Sequence, residues 1–387
     1  MNARELRLLF LVAGAIVFVD TMFYAAVAPL LPSLSRELHL SKASAGVLTA
    51  GYAIGTLIGA IPGGMLAERA GPRITLYTGL GLMGASSLAF GLVDNIVLLD
   101  AARILQGLGG ACTWAGALAW LIAEVPAQRR GSAIGGALAA GIGGALFGPV
   151  IGTLAHALGR APVFTAVVLL AGVLAVAVAI LPSPSRRPSG YGHTRLLDQL
   201  RRPLIALSMW LVALPAIASG TMNVLGPLRL SELGAGAAGI GATFLIAAGV
   251  EAAMSPAVGQ VSDRRGRILP LRVGLAVSAV ALLLFTVPQT AVLLAVVIVL
   301  ETVGLGTFWA PAMAMLSDAA DSYGVGQGYA MALINLAWAA GQIAGAGGGG
   351  ALAKAAGDAV PFAIAAALCA ATLGLMLVRP VRTALPR

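Results

Sequence analysis

The chain has 387 residues, of which 59% are hydrophobic and 10% charged, with 51 glycines and a mean hydropathy of +0.94. A soluble domain carries about 25% charged residues, so this composition excludes a soluble globular enzyme and also a disordered chain. The net charge of +9 raises the question of nucleic acid, which the placement of that charge answers.

Apolar runs recur along the whole length. A helix needs about 20 apolar residues to cross a bilayer. Twelve such spans fit, over 8–31, 43–66, 74–93, 96–122, 131–156, 161–181, 203–228, 237–261, 269–288, 290–316, 326–352 and 359–378. The expected fold is an all-α membrane protein of twelve transmembrane helices. Its expected divisions are a six-helix half at 1–181, a linker at 182–202 and a second half at 203–387. The leading MNARELR runs into an apolar stretch too long for a cleavable signal, so a retained first span is expected. In the linker, Thr194–Arg202 sets Leu196, Leu197 and Leu200 among basic residues. It reads either as a helix lying on the membrane surface or as a solvated connection.

Span 1 contains VDTMFYAAVAPLLP, with Asp20 near mid-membrane and Tyr24 one turn on. A carboxyl at that depth is a candidate functional group, the alternative being a protonated packing residue. The loop after span 2 reads GGMLAERAGPR, with Gly64, Glu68, Arg69 and Gly71. The loop after span 8 reads GQVSDRRGR, with Gly259, Asp263, Arg264 and Gly266. In both, Gly permits close helix approach and an acid can pair with a base at a helix end. Span 4 contains RILQGLGGA. Burying Arg103 at membrane depth costs about 2.5–3.5 kcal/mol, which points to a role, with Gln106 beside it. A structural pair with Asp100, one turn away, is the alternative.

Span 5 carries Gly135, Gly144, Gly148, Pro149 and Gly152, where proline bends the helix and the glycines leave a smooth face. Span 8 places Glu251, and span 10 Glu301, near mid-membrane. Each reads as a proton carrier, a cation contact or a neutral buried carboxyl. Asn223, Trp309, Asn335 and Trp338 are candidate wall residues. Asn335, Trp338 and Gln342 share a helical face by spacing. Cys112 and Cys369 lie inside apolar runs and form neither a disulfide framework nor a metal set. No metal or cofactor is expected.

The halves repeat at a constant offset of 195. Pro32 matches Pro227, Glu37 matches Glu232 and Gly64 matches Gly259. Arg69 matches Arg264, Gly71 matches Gly266, Gly79 matches Gly274, Gly109 matches Gly304 and Trp114 matches Trp309. Parallel six-helix repeats imply a transporter with its site near the midplane. With both termini inside, the cytoplasmic side collects eighteen of the 24 basic residues. The other side holds five, Arg36, Lys42, Arg160, Arg229 and Lys354, and Arg103 lies within a span. The positive-inside rule selects this orientation. The charge therefore needs no nucleic acid to explain it.

The duplicated loop, the Arg103-x-x-Gln106-Gly107 of span 4 and the glycine pattern of span 5 resemble the major facilitator superfamily over nearly the whole chain. Span 1 is similar to that of the drug:proton antiporters, vesicular monoamine transporters among them, and the Glu251 segment to sugar-efflux members. The resemblance implies that the duplicated loops latch the halves together on the cytoplasmic side. Here Glu68 stands where Asp is usual. It also implies that Arg103 serves proton coupling, that the span-5 pattern marks exporters (with Thr153 where a further Gly is common), and that Asp20 contacts a cationic amine.

The expectation is a proton-coupled antiporter that exports small amphipathic or cationic compounds by alternating access. A sugar or metabolite exporter of the same fold is the alternative. An ion channel and a membrane-embedded enzyme are both disfavoured. The expected partners are a small-molecule substrate, protons and the bilayer. The chain is expected to act as a monomer, multi-pass in the inner membrane, with both termini cytoplasmic.

Overall fold

The computed structural model describes residues 3–125, 130–182, 202–323 and 327–378. Every regular element described is helical. In the first part of the chain these are α1 (Ala3–Ala25), α2 (Val27–Glu37), α3 (Lys42–Arg69), α4 (Pro72–Leu92), α5 (Ile96–Glu124), α6 (Arg130–Leu158) and α7 (Arg160–Ile180). After the linker come α8 (Pro203–Glu232), α9 (Ala237–Arg265), α10 (Ile268–Leu284), α11 (Ala291–Ser322), α12 (Gln327–Gln342), a π-helical turn (Ile343–Gly348), α13 (Gly349–Ala356) and α14 (Ala359–Val378).

Ten helical stretches among the described residues are long and apolar enough to cross a membrane, α1 and α2 together forming one of them. The 17 residues of α10 are apolar and just within spanning length. The column from Gln327 to Ala356 supplies a further crossing, interrupted by the π-helical turn. Twelve columns result, as expected.

Local chemistry sets the helix ends. The Ser41 side chain accepts from the Ser44 amide at the start of α3, and Asn95 accepts from the amides of Val97 and Leu98 at the start of α5. Pro72 and Pro203 open α4 and α8, where no backbone donor is needed. Gly71 (φ 92°) and Gly266 (φ 84°) turn the chain between successive helices in a backbone region closed to most L residues. They are equivalent positions of the repeat.

Several features differ from the sequence expectation. The helix expected at 269–288 stops at Leu284, because Pro288 forces the residue before it out of helical geometry. The helix expected at 290–316 runs on to Ser322. The span at 326–352 contains the π-helical turn, which its glycine-rich sequence did not reveal. The surface helix considered at Thr194–Arg202 falls almost wholly outside the described residues.

The repeat reappears in the packing. Gly79 and Gly109 lie where α4 crosses α5, and Gly274 and Gly304 lie where α10 crosses α11. Arg73 donates to the Leu181 carbonyl at the end of α7. Arg272 donates to the Met376 carbonyl near the end of α14, at 2.6 Å. Leu181 and Met376 are again 195 apart. Leu169, Val176 and Ile180 of α7 and Leu375 and Leu377 of α14 are exposed, as a lipid-facing surface requires.

Contacts between helices α1–α7 and helices α8–α14 concentrate at the end of the bundle remote from the termini. There α3 packs on α13 and the π-helical turn, α2 on α8 and α9, and α6 on α9. Gly46 faces the Ala346 carbonyl, and Gly350 lies against Gly46 and the Lys42 carbonyl. Gly241 faces Thr153 and Pro149. Gly46 and Gly241 are equivalent positions, so one contact is built twice. Lys42 closes the same end through Asp358 (2.7 Å) and Glu232 (3.4 Å). At the end carrying the termini, Gly64 and Gly259 have open space beside them, and Glu68, Arg69 and Arg264 are exposed. The close approach expected at these two glycines is not made in this conformation, because the bundle is joined at its other end. The Asp263 side chain lies outside the described residues.

Candidate functional site

The site forms where α1, α3, α5 and α12 meet, and glycine spacing brings them together. Gly51, Gly55, Gly59 and Gly63 recur every fourth residue of α3 and lay it against α5. A Cβ on Gly51 would stand 2.8 Å from the Arg103 Cβ, and one on Gly59 2.9 Å from the Ala111 Cβ. Gly55 faces the Ile104 carbonyl, and Gly107 of α5 faces the Tyr52 carbonyl. Such a stripe of small residues allows backbones to touch, and here it carries Tyr52 to Asp20. On the other flank, Gly144, Gly148 and Gly152 of α6 meet the α1 backbone at Phe18, Met22 to Ala25, and Ala26. These glycines of α6 therefore hold α1, the helix bearing Asp20.

Asp20 is fully buried. The Tyr52 hydroxyl donates to its Oδ2 at 2.8 Å, while Oδ1 has no hydrogen-bond partner. Trp114 faces the same carboxyl. Gly110 of α5 lies directly beneath the pair, where a Cβ would be 2.5 Å from the Tyr52 hydroxyl and 3.1 Å from both Asp20 oxygens. Tyr24, Tyr52 and Trp338 form an aromatic wall, with ring centroids 4.6, 5.9 and 6.2 Å apart. Asn223 of α8 reaches Tyr24.

Arg103 is buried as well. Its guanidinium stands 5.6 Å from the centroids of both Tyr24 and Tyr52. Nη1 donates to Gln106 Oε1, while Nε has no partner. The alternative partner Asp100 leaves its Oδ1 buried and unpartnered. Asp20, Tyr24, Arg103, Gln106, Asn223 and Trp338 are thus gathered into one cluster. Gln342 hydrogen-bonds Ser219 Oγ at 3.0 Å and ties α12 to α8.

The remaining candidates lie elsewhere. Half-buried Glu251 rests on Gly306 of α11. Glu301 is fully buried, with both oxygens unpartnered. It interacts with Cys369 of α14, and no contact with Asp20 is described for it. Trp309 and Asn335 are half-buried. Sequence reasoning passed over Tyr52 and Gly110. The four-residue glycine spacing in span 2, with a tyrosine inside it, was the available signal.

The arrangement can hold a proton or a cation at the Asp20 carboxyl, against aromatic faces that attract cations. A cation–π contact contributes about 0.5–2 kcal/mol, more as water is excluded.

Comparison with known proteins gives the following. The family description Major Facilitator Superfamily matches residues 13–329 and 209–387. Multidrug resistance protein MdtG of Enterobacter lignolyticus is 30% identical over 289 residues, 70% of this chain and 69% of that protein. Multidrug resistance protein 1 of Bacillus subtilis is 31% identical over 175 residues, 44% of each chain. The Tetracenomycin C resistance and export protein of Streptomyces glaucescens is 29% identical over 208 residues, 52% of this chain and 38% of that one. This chain therefore spans less than half the length of the Bacillus and Streptomyces proteins. A solved bacterial homologue of the human lysosomal transporter Spinster, inward-facing and unoccupied, superposes with a TM-score of 0.74. It is 14% identical, and the match covers 98% of this chain and 96% of that one.

Proposed function

The chain belongs to the Major Facilitator Superfamily, and on that premise we propose that it exports small amphipathic or cationic compounds in exchange for protons. As a multi-pass membrane transporter of this family, it takes a small molecule as its substrate. The finer reading rests on one observation: a fully buried carboxyl, Asp20, held by Tyr52 against an aromatic wall with one oxygen free. A proton and an organic cation can each neutralise that carboxylate and exclude each other, which is what exchange at a single site requires.

The distribution of basic residues supports a cytoplasmic position for the end carrying the termini. The far end, closed by Lys42 and the Gly46 and Gly241 crossings, is then the external gate, and the present conformation is open inward. The halves 1–181 and 203–387, joined by 182–202, rock about the site. In the outward-open state, Asp263–Arg264 and Glu68–Arg69 close the cytoplasmic side. Asp20 takes a proton from outside, returns inward, and exchanges it for substrate. The relatives' names, multidrug resistance and export, support this direction of transport.

The test is uptake into proteoliposomes with an imposed pH gradient, using a panel of organic cations, neutral dyes and sugars. Saturable, gradient-driven transport of cations is expected. Transport of sugars alone, or movement of cations indifferent to the gradient, overturns the reading.

A further inference from the structure

Arg103 is held unusually for a buried charge. No ion pair among the described residues joins it to a carboxylate, neither to Asp20 nor to Asp100. The Asp20 charge acts on it only from a distance, and a buried guanidinium with no carboxylate in contact is costly. Its compensation is the Gln106 side chain and the faces of Tyr24 and Tyr52, each 5.6 Å from its carbon centre. Tyr52 is also the residue whose hydroxyl holds Asp20, and Tyr24 packs against Tyr52. The same aromatic surface therefore has two potential occupants, the protein's own cation and a foreign one.

We propose that Arg103 is an internal placeholder for the substrate's cationic group: in the empty site its guanidinium occupies the Tyr24 and Tyr52 faces, and a bound organic cation displaces it. This rests on the reading that the site takes cations. Displacement explains why the Arg103 side chain is tethered by one hydrogen bond, with Nε unpartnered, and not locked by a carboxylate. A guanidinium in a closed ion pair cannot leave without stranding its partner charge, whereas one resting on aromatic faces can. Tyr24 and Tyr52, by facing both occupants, become the residues that set the exchange between them.

Competition of this kind differs from simple repulsion between Arg103 and a cation, and a double-mutant cycle separates the two. The probe is tetraphenylphosphonium, and its equilibrium binding is measured on the full chain in detergent at one fixed pH. Arg103→Gln should bind it about tenfold more tightly than the wild type, because the rings stand vacant. Arg103→Lys retains the charge but not the flat group that spreads over two rings, so it should fall between them. Tyr24→Leu should weaken binding more in the Arg103→Gln background than in the wild type. In the wild type the substitution also releases the placeholder, which offsets part of the loss.

Equal losses in the two backgrounds, or Arg103→Lys indistinguishable from the wild type, overturn the placeholder while leaving cation recognition intact. Wild-type protein that binds neutral dyes but no tetraphenylphosphonium overturns both.

Discussion

Arg36 and Ser231 are 195 positions apart in the chain, and the Arg36 Nη1 lies 3.4 Å from the Ser231 Oγ. That separation is the offset of the internal repeat. Two equivalent positions touch only near the axis that relates them, so this contact marks the pseudo-twofold axis at the closed end. Around it lie Lys42, Glu232, Arg229 and Asp358.

Lys42 should therefore bias the gate. Its pairs with Asp358 and Glu232 are partly exposed, and such pairs contribute about 0.2–1 kcal/mol each. Lys42→Ala or Asp358→Asn should raise the population open at this end a few-fold. Distance distributions between spin labels on α2 and α9 check it. An unchanged distribution in both variants removes the gating role.

Gly110 should tolerate no side chain. Gly110→Ala places a methyl 2.5 Å from the Tyr52 hydroxyl, where one of them must shift. Protein should accumulate in the membrane at near-normal levels while cation transport falls about tenfold or more, since small displacements of a reacting pair are expensive. A further substitution, Tyr52→Phe, should relieve the crowding at Gly110→Ala. It should not restore the missing hydrogen bond to Asp20.

The glycines of α6 have a different role, and the expected failure differs accordingly. Gly148→Leu drives a side chain into Ala25 and the Met22 carbonyl, forcing α1 away from α6. Lower thermal stability in detergent is expected along with lost transport, whereas Gly135→Leu, with open space beside it, should leave both near the wild type. Melting curves of the two variants make the comparison.

Much of this could be read from the sequence because the repeat, the basic asymmetry and the mid-membrane charges are composition and spacing. Asp20 and Arg103 stood out since burial of either in lipid is costly. What could not be read is which way each helix faces. A membrane helix is apolar toward lipid and toward protein alike, so no periodicity distinguishes the two sides. For that reason Glu301, equal to Asp20 by depth, was indistinguishable from it. In the structure the former interacts with Cys369, and the latter is held by the Tyr52 hydroxyl. Tyr52 and Gly110 escaped notice because their importance lies in a crossing of α3 over α5 that depends on three-dimensional register.

Proton release on binding offers the most direct measurement of exchange at Asp20. Tetraphenylphosphonium is added to weakly buffered, detergent-solubilised protein, and the pH is followed. If proton and cation share the Asp20 carboxyl, the wild type acidifies the solution as the cation binds. Asp20→Asn, which keeps the shape but cannot release a proton, then leaves the pH unchanged. Acidification by Asp20→Asn equal to that of the wild type contradicts exchange at Asp20 and moves it to Glu251 or Glu301.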